Sequence, residues 1–194
     1  MKVLNTNQIA LLFFENRLKV AQRRLKKLCL KKKRIDRKQL EINQPYLYCL
    51  PDYKLPKQIE HLLAVNWMYV WFKLNKHHYD SIFHFSYEQQ NEIFRYDGLI
   101  AINNKFKKET RFYFIEVDLS NNKFDKIKKY NDFYSKRLYE NQWWVKYVER
   151  FPAVAILTHR ADSIKRIEKK DNVNGLEFRY YGLEIIKEME GMAK

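Results

Sequence analysis

The chain has 194 residues, of which 46% are hydrophobic and 16% aromatic, so it can bury a core and global disorder is disfavoured. Its formal net charge of +15 favours a polyanionic partner, with nucleic acid first and an acidic membrane surface second. No apolar run approaches the roughly 18 residues of a membrane-spanning helix, and none follows Met1 as in a signal peptide, so we expect a cytoplasmic protein. Cys29 and Cys49 match no metal or disulfide framework, and we interpret them as reduced core thiols, with a redox pair as the alternative.

The basic residues are concentrated in the N-terminal quarter of the chain. Residues 1–54 hold 14 Lys and Arg against 4 Asp and Glu, so +10 of the net +15 lies there. A short helix is predicted over residues 6–14, with Thr6 as its cap. A second helix is predicted over residues 16–28, because four apolar residues are spaced 3, 4 and 3 apart: Leu18, Ala21, Leu25 and Leu28. The other faces of this second helix are basic.

A basic hairpin is predicted after the second helix. Leu30 and Ile35 alternate with basic residues, a polar tip covers residues 37–43, and a returning strand is expected over residues 46–50. Helix, turn, basic helix and hairpin together predict a winged helix-turn-helix, in which a helix enters the major groove and the wing contacts phosphates. The alternative is a solvated basic helix in a bundle. The predicted DNA-binding residues are Arg17, Lys19, Arg23, Arg24, Lys26, Lys27, Lys31, Lys33, Arg37 and Lys38.

Pro51 and Pro56 punctuate the chain and mark a predicted domain border, which gives domains over residues 1–54 and 55–194. A helix follows over residues 57–74, and its apolar character on nearly all sides predicts burial against a sheet. Strands and helices then alternate. Strands are predicted over residues 82–87, 99–102, 112–117, 153–157 and 176–181, and helices over 124–148, 161–170 and 183–192. The order predicts a mixed sheet flanked by helices, so the expected class is α+β or α/β.

Three carboxylates lie in or beside the predicted hairpin of residues 94–120. Asp97 stands near the start of its first strand, and Glu116 and Asp118 stand near the end of its second. Glu116 and Asp118 are two residues apart and therefore share one face of a strand. If strand pairing sets Asp97 beside them, their oxygens are suited to a hard divalent cation. The alternative is three carboxylates at solvent-exposed strand ends, each paired with a nearby Lys or Arg.

The order of the elements, with an Asp on the second strand and a Glu on the third, resembles the core of the PD-(D/E)XK nuclease-like superfamily. More specifically, the chain resembles the replication-relaxation family of mobile-element proteins, which is similar to the MobC-type relaxases of conjugative plasmids. Those proteins join a winged helix to a nuclease-like domain. The matching motifs are HLLAVN at 61–66, DGLI at 97–100, FIEVD at 114–118, KIKKY at 126–130 and FP at 151–152.

The resemblance implies plasmid DNA processing with metal-dependent cleavage. By this resemblance, Asp97 and Glu116 would hold Mg²⁺ or Mn²⁺. Asp118, which departs from the family pattern, would add a third carboxylate to the metal site. An active nuclease of this superfamily carries Lys two positions after the Glu, where this chain has Asp118. Lys126 or Lys129 on the next helix would then have to supply a migrated amine, and we take Lys126 as the candidate catalytic residue. Tyr130 is a less favoured candidate nucleophile, because a tyrosine on an inner helix face usually belongs to the core.

Two functions stay open at this stage. The first is a double-stranded DNA-binding accessory or regulatory protein with a degenerate nuclease-like domain, which docks a relaxase or replication initiator or forms a homodimer. The second is a site-specific DNA nickase that requires Mg²⁺ or Mn²⁺. Asp118 favours the first, because a carboxylate cannot replace a cation at a transition state that gains negative charge. A membrane-surface role is disfavoured, because the basic residues alternate with core positions.

Overall fold

The computed structural model describes residues 1–91 and 93–193, and the chain divides into two compact units. Unit 1 contains residues 1–74 and the C-terminal segment from Glu184 onward, and unit 2 contains residues 75–183. Across the described ranges, no helix has the length and apolar character that crossing a bilayer requires. In chain order the elements are β1 (Val3–Asn5), α1 (Thr6–Phe13), α2 (Leu18–Leu30), β2 (Asp36–Lys38), β3 (Leu47–Cys49), α3 (Ile59–Asn75), β4 (Asp80–Gln90), β5 (Arg95–Asn104), β6 (Glu109–Asp118), α4 (Lys126–Ser135), β7 (Ala153–Thr158), α5 (Ala161–Asp171), β8 (Phe178–Tyr181) and α6 (Glu184–Met192).

Unit 1 contains a three-stranded antiparallel sheet in the order β1-β3-β2. The N-cap of α1 is Asn5 and not Thr6, because the Asn5 side chain accepts from the Gln8 backbone N–H while the Gln8 side chain accepts from that of Asn5. Thr6 instead donates its hydroxyl to the Tyr46 carbonyl. The packing of α2 places Ala21 and Leu25 in a small core with α1 and β3. Leu30, predicted to begin a strand, is the last residue of α2 and is exposed.

Helix α3 belongs to unit 1. Asn66, which is fully buried on α3, donates its side-chain amide to the Val3 carbonyl at 2.7 Å. Gln8 donates to the Leu63 carbonyl at 2.9 Å. The border predicted after Lys54 therefore falls inside unit 1, because the apolar α3 packs back on the N-terminal residues. The proline-rich segment before α3 is a connection within this unit.

Unit 2 is built on a five-stranded sheet in the order β4-β5-β6-β7-β8. The pairs β4–β5 and β5–β6 are antiparallel, and the pairs β6–β7 and β7–β8 are parallel. The predicted combination of helices with a mixed sheet is confirmed. The turn of the β5–β6 hairpin covers residues 105–108, because Asn103 and Asn104 still pair with β6.

Helix α4 is shorter than the helix predicted over residues 124–148. It ends at Ser135, and Arg137 adopts a positive φ of 55° that an α-helix cannot contain. The chain then forms turns and a short 3-10 helix at Val145–Tyr147. Trp144, 1% exposed, packs against Phe114 at a ring-centroid distance of 5.8 Å. The turns after Ser135 thus lead to an indole that is buried in the core of the unit.

Candidate functional site

The first candidate site is the basic surface of α2 in unit 1. This helix contains no acidic residue, and only Ala21 and Leu25 are buried. Because these two positions are four residues apart, they share one face, which half-buried Leu18, Leu28 and Cys29 widen. The opposite side of the helix is open to solvent. The exposed basic residues on it are Lys19, Arg23, Arg24, Lys26 and Lys27.

The other predicted DNA-binding residues have different surroundings. Lys31 and Lys33 are exposed beyond the end of α2, and Arg17 is exposed before its start, where it pairs with Glu15 at 2.9 Å. Arg37 lies on β2 with its guanidinium 4.4 Å from the centre of the Tyr46 ring. Lys38 is the exception, because it is half-buried and its ammonium donates to the Tyr53 carbonyl at 2.7 Å. Lys38 therefore helps to fix β2 to the segment that follows β3.

The second candidate site lies in unit 2, where the structure brings Asp97, Glu116 and Lys126 together. The antiparallel pairing of β5 with β6 sets Asp97 beside Val117, whose backbone N–H donates to Asp97 Oδ2 at 2.8 Å. Lys126 Nζ lies 2.8 Å from Glu116 Oε2. Tyr130, one turn further along α4, donates its hydroxyl to Glu116 Oε1 at 2.8 Å. Both carboxylate oxygens of Glu116 are thus engaged by side chains from α4.

Burial controls the charge of this cluster. Glu116 is 1% exposed, and burial together with the charge of Asp97 raises its pKa to about 8, against an ordinary value of 4.5. The ammonium of Lys126 and the hydroxyl of Tyr130 act in the opposite direction, but burial outweighs them. Burial also raises the pKa of Tyr130, and the neighbouring Glu116 raises it further. Glu116 therefore ionises less readily than an exposed glutamate.

Asp118 belongs to a different cluster. Arg160 holds it with a two-pronged contact, from Nε to Oδ2 at 2.7 Å and from Nη2 to Oδ1 at 3.0 Å. Thr158 adds a hydroxyl hydrogen bond to Oδ2 at 3.0 Å, since the parallel register of β6 and β7 sets it beside Asp118. Asp118 is thus paired with a cation at a strand end, as in the alternative prediction, but it is buried and not exposed to solvent. Sequence reasoning missed Arg160, because 42 residues separate it from Asp118 and no local pattern links them.

This donor set does not fit a divalent cation held by Asp97, Glu116 and Asp118. The oxygens of Glu116 are taken by Lys126 and Tyr130, and those of Asp118 by Arg160 and Thr158. Within residues 1–91 and 93–193, no three His, Cys, Asp or Glu side chains group in a way that would hold a metal ion. The cation beside Glu116 in this arrangement is the ammonium of Lys126.

Lys129 and Tyr130, the other two candidate catalytic residues on α4, both make contacts that stabilise the fold. Lys129 points away from the acidic cluster and forms an ion pair with Asp125 at 2.6 Å, so Lys126 is the amine that reaches Glu116. Tyr130 is fully buried and packs against Phe94 and Phe114. Its hydroxyl is a hydrogen-bond donor inside the core.

No family model, no curated protein and no solved structure matches the chain.

Proposed function

We propose that this protein binds double-stranded DNA through unit 1 and acts as an accessory or regulatory factor in the transfer or replication of a plasmid or other mobile element. The observation that carries the proposal is the exposed surface of α2, which holds five basic residues and no acidic one. Such a surface neutralises phosphates and releases condensed counterions, which is the main source of affinity for DNA. A helix also fits the major groove of B-DNA.

The arrangement of unit 1 supports a winged helix-turn-helix. Helices α1 and α2 are joined by a short turn in which Glu15 and Asn16 have positive φ angles, and α2 is the second helix of the pair. The β2–β3 hairpin follows α2 in the chain, as a wing would, and carries Arg37. In this class of protein the second helix reads the groove while flanking elements contact phosphates. We therefore assign α2 as the recognition helix.

The acidic cluster of unit 2 supports the accessory function over DNA cleavage. Hydrolysis of a phosphodiester by a metal requires an ion that polarises the phosphate and activates water. Here Lys126 and Tyr130 already satisfy the buried Glu116, and Arg160 neutralises Asp118. We propose that unit 2 is a nuclease-like scaffold that has lost cleavage, with a relaxase, a replication initiator or a second copy of the chain as the partner that it docks.

The double variant Arg23→Ala, Arg24→Ala is expected to weaken duplex binding about 10- to 100-fold at moderate salt, because two exposed cations of α2 are removed. The slope of log affinity against log salt should fall by about two, one for each phosphate that is no longer neutralised. Titration of a labelled duplex by fluorescence anisotropy, over a series of salt concentrations, measures both quantities. The matched control is Lys169→Ala, Lys170→Ala, which removes the same charge from the exposed side of α5 in unit 2. Equal reductions in both variants, or a flat salt dependence in the wild type, would contradict the assignment of α2.

Supercoiled DNA carrying the gene's own genetic neighbourhood should remain supercoiled when it is incubated with the protein and Mg²⁺ or Mn²⁺. Gel electrophoresis measures the conversion to open circles, and Glu116→Gln serves as the comparison because it keeps the size of the side chain. Conversion that is site-specific in the wild type and absent in the variant would overturn the accessory function. The site-specific nickase would then be the function, with Glu116 as its essential carboxylate.

A further inference from the structure

Unit 2 contains a groove that lies apart from the acidic cluster. It has a volume of about 610 Å³ and is lined by the β5–β6 turn, the start of β6, the segment before β7 and the edge of β8. Glu116 and Asp118 stand at the other end of β6. The groove and the acidic cluster are therefore at opposite ends of the same sheet.

The groove is rich in cations. Five basic side chains and three glutamates line it, and the basic ones are Lys107, Lys108, Arg111, Arg150 and Arg179. Arg111 pairs with Asp80 at 2.7 Å and Arg179 with Glu177 at 2.6 Å. Within the described ranges, the charged groups of Lys107, Lys108 and Arg150 form no ion pair, and all three residues are exposed. An anionic partner is the chemical complement of this surface.

Exposed aromatic rings adjoin the cationic groove. Phe83, Trp143 and Tyr147 are 49%, 40% and 46% exposed, so each presents a large part of its ring to solvent. The centroid of the Tyr147 ring lies 6.4 Å from that of Phe83 and 6.1 Å from that of Trp143, so the three rings form one patch. We call these three residues the aromatic patch. Tyr147 also lines the groove, which makes the patch and the cations one continuous surface.

The aromatic patch is held in place from below. Phe112, which is buried, contacts all three rings at centroid distances of 5.9 Å to Phe83, 5.7 Å to Trp143 and 6.5 Å to Tyr147. The ammonium of Lys146 lies 5.1 Å from the centre of the Tyr147 ring. A rigid base of this kind presents the rings to solvent at little further cost in conformational entropy when a partner binds.

We infer that this groove and the aromatic patch bind single-stranded nucleic acid. Lysine and arginine side chains follow the phosphates, and exposed rings stack on the bases, which is the combination that sequence-tolerant single-strand binding requires. A duplex does not satisfy the patch, because its base faces are already stacked on one another. The inference concerns unit 2 and a different ligand, so it goes beyond duplex binding by α2 and does not depend on it.

The test uses the full chain and a labelled 20-nucleotide dT strand, with binding followed by fluorescence anisotropy. The wild type should bind at low salt, and Tyr147→Ala and Trp143→Ala should each weaken binding about tenfold, because each removes one stacking surface. The control Tyr147→Phe keeps the ring and should remain within about twofold of the wild type. An rU strand of the same length tells DNA from RNA as the source of the single strand, and binding of either one supports the inference.

Lys107→Ala, Lys108→Ala tests the cationic part of the groove with residues in an exposed turn, where folding is not at risk. This variant should bind the dT strand less tightly and with a smaller salt slope. It also decides the outcome if circular dichroism shows that an aromatic variant is unfolded. The Arg23→Ala, Arg24→Ala variant distinguishes this inference from the proposed function. It should lose affinity for the duplex and retain affinity for the dT strand.

Three results would overturn the inference. The first is a wild-type chain that does not bind the dT or the rU strand at low salt. The second is unchanged affinity in folded Tyr147→Ala and Trp143→Ala. The third is displacement of the strand by polyglutamate at equal charge concentration, which would mean that the groove attracts anions in general, an acidic protein segment included.

Discussion

Replacement of Lys126 by methionine is expected to lower the free energy of unfolding by about 3 kcal/mol near pH 9 and by about 1–2 kcal/mol at pH 6. The variant leaves Glu116 buried without its cation, while methionine keeps most of the apolar stem of the lysine. At pH 6 the carboxyl is protonated, so only a charge-assisted hydrogen bond is lost. At pH 9 the wild-type carboxylate is ionised beside the ammonium, an arrangement that the variant cannot form. Urea unfolding followed by tryptophan fluorescence at both pH values measures the difference.

The matched control is Lys129→Met on the same helix. Lys129 forms its ion pair with Asp125 on the exposed surface, so this change should cost about 0.5 kcal/mol or less at either pH. Combining Lys126→Met with Glu116→Gln should recover most of the loss, because the second change removes the group that becomes unpaired. An equal loss in the free energy of unfolding for Lys126→Met and Lys129→Met would show that the buried pair with Glu116 stabilises the protein no more than an exposed pair.

The same cluster predicts how stability depends on pH in the wild type. The pKa of Glu116 is raised from 4.5 in the unfolded chain to about 8 in the folded protein. Between these values the folded state holds a proton that the unfolded state releases, so this contribution is complete below pH 4.5 and is lost as the pH rises toward 8. The slope approaches about 1.4 kcal/mol per pH unit in that window. In Lys126→Met the fall in the free energy of unfolding should continue above pH 8, because the ammonium that lowers the pKa of Glu116 is gone. In Glu116→Gln this pH dependence should disappear, because the titrating group is gone.

Loss of the Arg160 guanidinium is also expected to lower stability. Arg160→Ala should lower the free energy of unfolding by about 2–3 kcal/mol, because Asp118 loses two charge-assisted hydrogen bonds at a nearly buried strand end. Arg160→Lys keeps the charge but not the two-pronged geometry, so it should recover about half of this loss. Thermal and urea unfolding at pH 7 measure both variants.

Arg179→Ala is the control for Arg160. Arg179 also forms an ion pair, with Glu177 at 2.6 Å, but both side chains are about half exposed. Its removal should cost less than about 1 kcal/mol. A cost for Arg160→Ala that is no larger than that for Arg179→Ala would mean that Asp118 is solvated well enough to stand alone.

The strands of unit 2 could be predicted because the information that forms them is local. β7 is a continuous apolar run, and β5 and β6 are dense in apolar residues. Each of these patterns is contained within a few neighbouring residues and indicates a strand. The three-residue β1 gave no such signal, because a strand that short has no period to detect. The end of α4 was missed for the opposite reason. Its apolar spacing continues beyond Ser135, and only the packing of Trp144 shows that the chain has left the helix.

The sequence offers two candidates for the amine near Glu116, Lys126 and Lys129, since both lie on the helix that follows β6. Which of them reaches the carboxyl depends on how α4 is rotated against the sheet. That rotation is set by the burial of Ile127, Tyr130 and Phe133, which places Lys126 beside Glu116 and Lys129 in solvent. Helix rotation is a property of the packed core, so spacing alone leaves the choice open.

The sequence by itself determined the concentration of charge before residue 54, the basic helix without an acidic residue, and the mixed class of the fold. These properties depend on composition and on periods of two to four residues, which can be read from neighbouring letters. Only the tertiary structure decided which cation meets which carboxylate, because Lys126 with Glu116 and Arg160 with Asp118 are joined by the packing of α4 and the parallel register of β6 and β7. The separation of three similar carboxylates into two neutralised clusters is thus a consequence of long-range contacts, in which burial makes each unpaired charge costly.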